Sequence, residues 1–287
     1  MKSILILMLS MVAMQIQAQT KGEVRNLYGD EEIPGAALPV GQLTDAEIPK
    51  LYDYQLASSE KDLVFLVIPG GGYSGVAINH EGHDVAARLN DQGYSAYVLS
   101  YRLPTVKTMK DKRFGPLQDA QYALATIRKE NKNKKVVVIG FSAGGHLAGS
   151  LSTLYNHPQT KELKKANLRP DFSVLCYPVI SMNDTITHKG SKEKLIGPEF
   201  SAKDVELFSL EKQVTKNSQP TFLMSAKDDK VVPIENTYRY QQSLNRMGIP
   251  NTLFTYEEGG HGFGLVNKTD ARDWFAAMLD WLNSLPE

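Results

Sequence analysis

Five consecutive residues, Gly140-Phe141-Ser142-Ala143-Gly144, have the types and spacing for nucleophilic chemistry. The apolar run Val136-Val137-Val138-Ile139 leads into them and a helix-forming stretch from His146 to Leu154 follows, so the serine sits on a strand-to-helix turn. Such a turn strains the backbone of its central residue, and glycines two places to either side let the chain crowd past. The hydroxyl is thereby lifted clear of the sheet, beside the Ala143 amide and the positive end of the helix dipole. A hydroxyl alone is a weak nucleophile and needs a general base. With one, this serine would serve acyl transfer.

Six histidines could supply that base: His80, His83, His146, His157, His188 and His261. His261 stands in Glu258-Gly259-Gly260-His261-Gly262-Phe263, where small neighbours let an imidazole reach across to Ser142, and it is the expected base. His146 lies one turn into the helix behind the serine and is expected to pack or hydrogen-bond there. His80 and His83 flank Glu81 near a glycine loop, whereas His157 and His188 read as surface residues. The third partner, a carboxylate that orients the imidazole, is expected after the strand-like run Thr221 to Ser225, at Asp228 or Asp229. Either choice gives the chain order serine, acid, histidine. Asp184 and Asp204 are weaker competitors from the preceding stretch.

A fourth feature is Ile68-Pro69-Gly70-Gly71-Gly72-Tyr73, at the end of the apolar run Leu63 to Ile68. Successive glycines leave amides unshielded, free to face an oxygen that gains negative charge. The Gly71 and Gly72 amides, with that of Ala143, are the expected oxyanion hole. No Lys-Ser or Lys-Thr follows these glycines, which argues against a phosphate cradle. No His-Glu-x-x-His or paired-cysteine spacing occurs, so no metal and no cofactor is expected. The one cysteine, Cys176, sits in an apolar run and reads as a buried structural thiol.

The elements that must position these residues alternate regularly. Leu63 to Ile68, Ala96 to Leu99, Val136 to Ile139, Phe172 to Tyr177, Thr221 to Ser225 and Leu253 to Tyr256 read as strands. Helical spacing occurs from Asp84 to Leu89, from Leu117 to Ile127, and around Trp274, Met278 and Trp281. Strand–helix alternation of this length implies an α/β fold, with a mainly parallel central sheet and helices on both faces. The stretch 181–218 breaks the rhythm as an insertion, either lid or passive wall, with a helix started by Ser201 and Asp204 in a capping box. The polar stretch before about Glu60 reads as an irregular arm or one or two short strands.

Lys+Arg and Asp+Glu both total 32 among the 287 residues, and this balance argues against a nucleic-acid partner. Lys2, the apolar run Ile4 to Met14 and the small residue Ala18 have the layout of a signal peptide over 1–18, which leaves a single domain over 19–287. A secreted or periplasmic protein without stable membrane insertion is the expectation.

In combination, Pro-Gly-Gly-Gly-Tyr at 69–73, Glu81-Gly82, Ser100-Tyr101-Arg102, Gly-Phe-Ser-Ala-Gly-Gly-His at 140–146, Asp-Asp-Lys-Val-Val-Pro at 228–233 and Gly-Gly-His-Gly-Phe-Gly at 259–264 resemble bacterial α/β-hydrolase esterases. The nearest group is the secreted acetylxylan-esterase-like enzymes, related to feruloyl esterases and the hormone-sensitive-lipase group, and the resemblance covers about residues 62–284. The glycine loop resembles the His-Gly-Gly-Gly loop of lipases, with Pro69 in the histidine's place. The resemblance implies an α/β-hydrolase fold, a Ser142, Asp229, His261 triad, removal of acetyl groups from sugars or polysaccharides, and Tyr73 beneath a sugar-facing cleft. It favours Asp229 over Asp228 through the spacing Asp-x-x-Val-Pro. The sequence departs from the group at Ser209-Leu210-Glu211 and Ser225-Ala226-Lys227, near the expected pocket wall. Two other classes compete: a prolyl-oligopeptidase-like serine peptidase, and a non-catalytic carbohydrate-binding module on a hydrolase scaffold. About 60 residues before the core are too few for a propeller, and a decayed site should have lost one of its parts.

Overall fold

A computed structural model describes residues 22–286. Six strands form the parallel body of one sheet: β3 (Leu63–Ile68), β4 (Ser95–Ser100), β5 (Lys135–Phe141), β6 (Phe172–Cys176), β7 (Thr221–Ala226) and β8 (Asn251–Tyr256). Two antiparallel strands, β1 (Glu23–Asn26) and β2 (Lys50–Tyr54), extend it on the β4 side, in the order β1-β2-β4-β3-β5-β6-β7-β8. The apolar runs become strands because both their faces are covered. Val64, Leu66, Ile68, Val136, Val138, Leu175 and Leu223 point to one face, and Phe65, Val67, Val137, Ile139, Val174, Cys176, Phe222 and Met224 to the other.

The first face is covered by α2 (Gly115–Glu130), α3 (Ser142–Thr153) and α6 (Glu235–Arg246), through Leu117, Leu124, Leu147, Leu151, Tyr240 and Leu244. The second is covered by α1 (Asp84–Asp91) and α7 (Trp274–Ser284), through Val85, Leu89, Trp274, Met278 and Leu282. The insertion carries α4 (Lys189–Ile196) and α5 (Ala202–Phe208). Ser201 and Asp204 cap α5 reciprocally, as the sequence predicts. Among the described residues no helix is long and apolar enough to cross a membrane.

The arm before β3 is more ordered than its composition suggests. Arg25 makes a two-pronged contact with Glu130 at 2.7 and 2.8 Å, which ties β1 to the C-terminal end of α2. Buried Arg102 pairs with buried Asp119 at 2.7 Å, and Asp119 also accepts from the Tyr28 hydroxyl. Arg102 further donates to the Pro34 carbonyl, so one desolvated ion pair fixes both the arm and the start of α2. A surface cleft of about 810 Å³ beside this junction is lined by none of the residues singled out for chemistry. Its Tyr28–Tyr122 contact, at 4.4 Å between ring centres, belongs to the packing of the arm on α2.

The topology decides where a site can form. From β3 the chain passes to β4 on one side and then crosses to β5 on the other, which leaves a crevice at the carboxyl ends of β3 and β5. Ile68 pairs with Gly140 at that edge, so the glycine loop and the serine turn leave the sheet side by side.

Candidate active site

Among the described residues three non-glycines have left-handed backbones: Tyr73 (φ 57°), Ser142 (φ 53°) and Tyr177 (φ 36°). They stand just beyond β3, β5 and β6, so the strain of the molecule is concentrated at one edge of its sheet. At the serine turn it is enforced by crowding. A Cβ on Gly140 would lie 2.4 Å from the Gly144 carbonyl oxygen, and one on Gly144 would lie 2.2 Å from that of Ile68. The serine is thus clamped between its own helix and the neighbouring strand.

Ser142 Oγ is 2.8 Å from His261 Nε2, and His261 Nδ1 is 2.6 Å from Asp229 Oδ2. The other carboxylate oxygen of Asp229 accepts from the Val231 and Val232 amides, each at 2.9 Å, so the acid is held from both sides. Because Asp229 accepts, the imidazole proton belongs on Nδ1 and Nε2 is open to take the serine proton. Asp228 points elsewhere: it is exposed, and its Oδ1 accepts from the Gly260 amide at 2.8 Å. That contact braces the histidine loop and holds the Asp228 carboxyl below the usual carboxylate range. The structure therefore brings together Ser142, Asp229 and His261. It leaves Asp184 paired with Lys192 and Asp204 with Arg113.

The Gly70 amide is already engaged, donating to Glu81 Oε2 at 2.8 Å, whereas the Gly71 and Gly72 amides have no acceptor among the described residues. Ala143 lies in the first turn of α3, where the amides of a helix lack intrahelical partners. These are the three donors the sequence singled out. Tyr101 steadies the loop from below by donating to the Pro69 carbonyl at 3.1 Å.

Glu81 ties the loop to the rest of the site. It sits in a wide π turn, Asn79–His83, and is buried. Its Oε1 accepts from the Tyr177 hydroxyl at 2.8 Å, and that hydroxyl accepts in turn from the Gly264 amide at 3.0 Å. The Tyr177 ring meets the His261 ring edge to face at 5.0 Å. One carboxylate therefore spans the glycine loop and the histidine loop. The sequence displays Glu81 only as part of a motif; its link to Tyr177 joins residues far apart in the chain.

Two sequence expectations need correction. Tyr73 does not present a surface to a ligand: it is 1% exposed, and its hydroxyl is 2.8 Å from His146 Nδ1. Its left-handed backbone turns the ring down against Tyr101 and His146, so it supports the loop from within the core. His146 Nε2 lies 2.9 Å from the Phe208 carbonyl oxygen, which only accepts; the proton is thus on Nε2, and Nδ1 accepts from Tyr73. Complete burial pushes the His146 pKa down to about 4, so this bridge is neutral.

His188 is the second correction. It is half-buried beside the site: a Cβ on Gly72 would lie 3.7 Å from its Cε1. Burial lowers its pKa, the charge of His261 adds to that effect, and Asp229 opposes it. The helix it caps, α4, reads Lys-Gly-Ser-Lys-Glu-Lys-Leu-Ile, with too few apolar residues to show a face in sequence. His157 is exposed, as expected. His83 is buried with Nδ1 2.8 Å from the Tyr54 hydroxyl.

The insertion is fastened along its length. Lys112 donates to the Lys194 and Glu193 carbonyls at the end of α4 at 2.6 and 3.3 Å, Arg113 reaches Asp204 at 2.5 Å, and Ser181 donates to Glu211 at 2.7 Å. The first two tie the insertion to the segment before α2, the third closes it on itself, and its His188 borders the glycine loop.

The BD-FAE family model matches residues 51–244. The chain is 35% identical over 235 residues to endo-1,4-beta-xylanase B of Butyrivibrio fibrisolvens, covering 79% of this chain and 36% of that protein. It is 34% identical over 230 residues to an acetylxylan esterase of Xylanibacter ruminicola, covering 76% of this chain and 45% of that protein. The chain thus spans less than half the length of either relative. Among solved structures, an acetyl ester-xyloside bifunctional hydrolase from Caldicellulosiruptor lactoaceticus superposes with a TM-score of 0.80 at 33% identity, covering 92% of this chain and 96% of that one. The architecture is the α/β-hydrolase fold.

Proposed function

The chain belongs to the BD-FAE family, and from that premise we propose that it is a serine carboxylic-ester hydrolase that removes short acyl groups, acetyl foremost, from sugars or polysaccharides such as xylan. The observation that carries the reading is the unbroken relay from Ser142 Oγ through His261 to Asp229, at 2.8 and 2.6 Å, on a strained turn beside two unengaged amides. The acetyl preference is supported by the names of the relatives and by the polar residues from Asn183 to Lys194, which argue against a deep apolar tunnel for a long acyl chain.

His261 Nε2 takes the Ser142 proton as Oγ attacks the ester carbonyl carbon. The carbonyl oxygen becomes an oxyanion, stabilised by the Gly71, Gly72 and Ala143 amides at roughly 3 kcal/mol per donor. The C–O bond breaks, the alcohol leaves with the proton from His261, and the acyl group remains on Ser142. Water then gives a proton to His261 and attacks the acyl-enzyme. The acid departs, the proton returns to Oγ, and no cofactor is consumed. Lys2, the apolar run Ile4 to Met14 and Ala18, which lie outside the described residues, support export before this chemistry takes place.

Acetate release from acetylated xylan and from 4-nitrophenyl acetate tests the reading. The wild-type protein should hydrolyse both, and Ser142→Ala should lower both by roughly 10⁴-fold with the fold intact. Undiminished turnover in purified Ser142→Ala would refute it.

A further inference from the structure

His188 borders the glycine loop from the insertion, and its ring nitrogens are committed unequally. The Ser191 amide donates to Nδ1 at 3.3 Å, and the Ser191 hydroxyl lies 2.8 Å from the same atom. An amide only donates, so Nδ1 must be the bare nitrogen, and the ring proton is fixed on Nε2. The Nε2–H has no acceptor among the described residues. The neighbouring Thr187 hydroxyl is buried and has no hydrogen-bond partner among the described residues. Cε1, the ring carbon bonded to both nitrogens, lies 3.7 Å from the position a Cβ would take on Gly72, whose amide is one of the two unengaged in the glycine loop. A fixed hydrogen-bond donor therefore leans over the glycine loop from the insertion wall.

We propose that His188 is a substrate-binding residue whose Nε2–H donates to an oxygen of a hydroxylated alcohol moiety, the sugar ring that carries the ester, and so selects sugar esters over simple ones. The inference rests on the esterase reading above. An aryl ester has no hydroxyl or ring oxygen in that place, so it does not use the contact. A sugar ester does, and loss of the donor leaves a polar group of the substrate unpaired in the crevice. His188 also caps α4 through Nδ1, so a purely structural part must be separated from recognition.

His188→Ala removes ring and cap, whereas His188→Asn keeps a side chain that can cap the helix and removes the Nε2–H donor. Each is compared with wild type on an acetylated xylobiose and on 4-nitrophenyl acetate, with thermal unfolding measured alongside. Both variants should lose roughly tenfold in kcat/KM on the acetylated xylobiose and stay within about twofold on the aryl acetate. His188→Asn should also unfold at the wild-type temperature. Equal losses on the two substrates, or no loss on either, would overturn the assignment while leaving the esterase reading intact. A wild-type protein that hydrolyses neither substrate would overturn the esterase reading and this inference with it.

Discussion

The serine turn and the insertion wall face each other across one crevice, yet they are built on opposite principles. At the turn, backbone packs on backbone: Gly140 and Gly144 have no room for a side chain, and Ser142 is held at φ 53°. Along the wall, short helices are fastened by side chains, with Lys112, Arg113 and Ser181 making the ties. A clamped backbone holds the nucleophile in one place, as acyl transfer needs. A side-chain wall can change its lining without disturbing that clamp. On the reading proposed above, the chemistry belongs to the first region and substrate choice to the second.

The largest effects should come from the clamped side. Asp229→Asn would place an amide donor against His261 Nδ1 and drive the proton to Nε2, where it blocks the serine. Turnover of 4-nitrophenyl acetate should fall roughly 10⁴-fold. Asp228→Asn keeps a carbonyl oxygen for the Gly260 amide and should stay within about threefold in the same assay. The reverse ranking would move the acid by one position and break the assignment of roles within the loop.

A smaller effect should follow at the carboxylate that links the two catalytic loops. In Glu81→Gln one oxygen becomes a donor, so either the Gly70 amide or the Tyr177 hydroxyl loses its acceptor. Denaturant unfolding should show a loss of about 2 kcal/mol. Turnover should fall by roughly tenfold at a nearly unchanged KM, because the reacting groups are displaced while the alcohol side is untouched. A rise in KM alone would place Glu81 with substrate binding.

His146 joins the two regions, since it holds Tyr73 of the glycine loop and Phe208 of the wall. Its pKa is depressed to about 4 by burial, so the unfolded chain takes up a proton at higher pH than the folded one. The stabilisation is complete above the ordinary imidazole value of about 6.5 and is lost as pH falls towards 4. This one group should cost about 3 kcal/mol across that window. Urea midpoints at pH 7 and pH 4.5 check it: the drop should be smaller in His146→Phe than in wild type. Equal drops would show that the bridge between turn and wall is not the acid-sensitive element.

The same division explains what the sequence discloses. Strands β3 and β5 are legible because parallel strands covered on both faces must be continuously apolar. The serine turn is legible because its crowding demands glycine at fixed spacing. His261, and an acid at Asp228 or Asp229, follow from chain order and from the loops after β7 and β8, while the choice of Asp229 rests on the Asp-x-x-Val-Pro spacing of the family resemblance. The wall has no such demand. Helix α4 is polar on most sides and is capped by a histidine, so neither its existence nor the position of His188 has a periodic signal. Tyr73 misleads because its left-handed backbone, invisible in the residue order, turns its ring inward. Strands β1 and β2 are short, β1 pairing with β2 and β2 with β4, and the arm that carries them is anchored by Arg102 and Asp119 through Pro34 and Tyr28, contacts between residues far apart in the chain.

The central claim is that Ser142 is the activated nucleophile, and a fluorophosphonate tests it most directly. The probe's phosphorus is attacked by an activated serine oxygen, fluoride leaves, and the adduct persists for peptide mapping. One adduct is expected, on the peptide carrying Ser142. It should be absent from Ser142→Ala and form far more slowly in His261→Ala, because the base that activates the hydroxyl is gone. An adduct on another residue, or none in a protein that still hydrolyses 4-nitrophenyl acetate, would contradict the account.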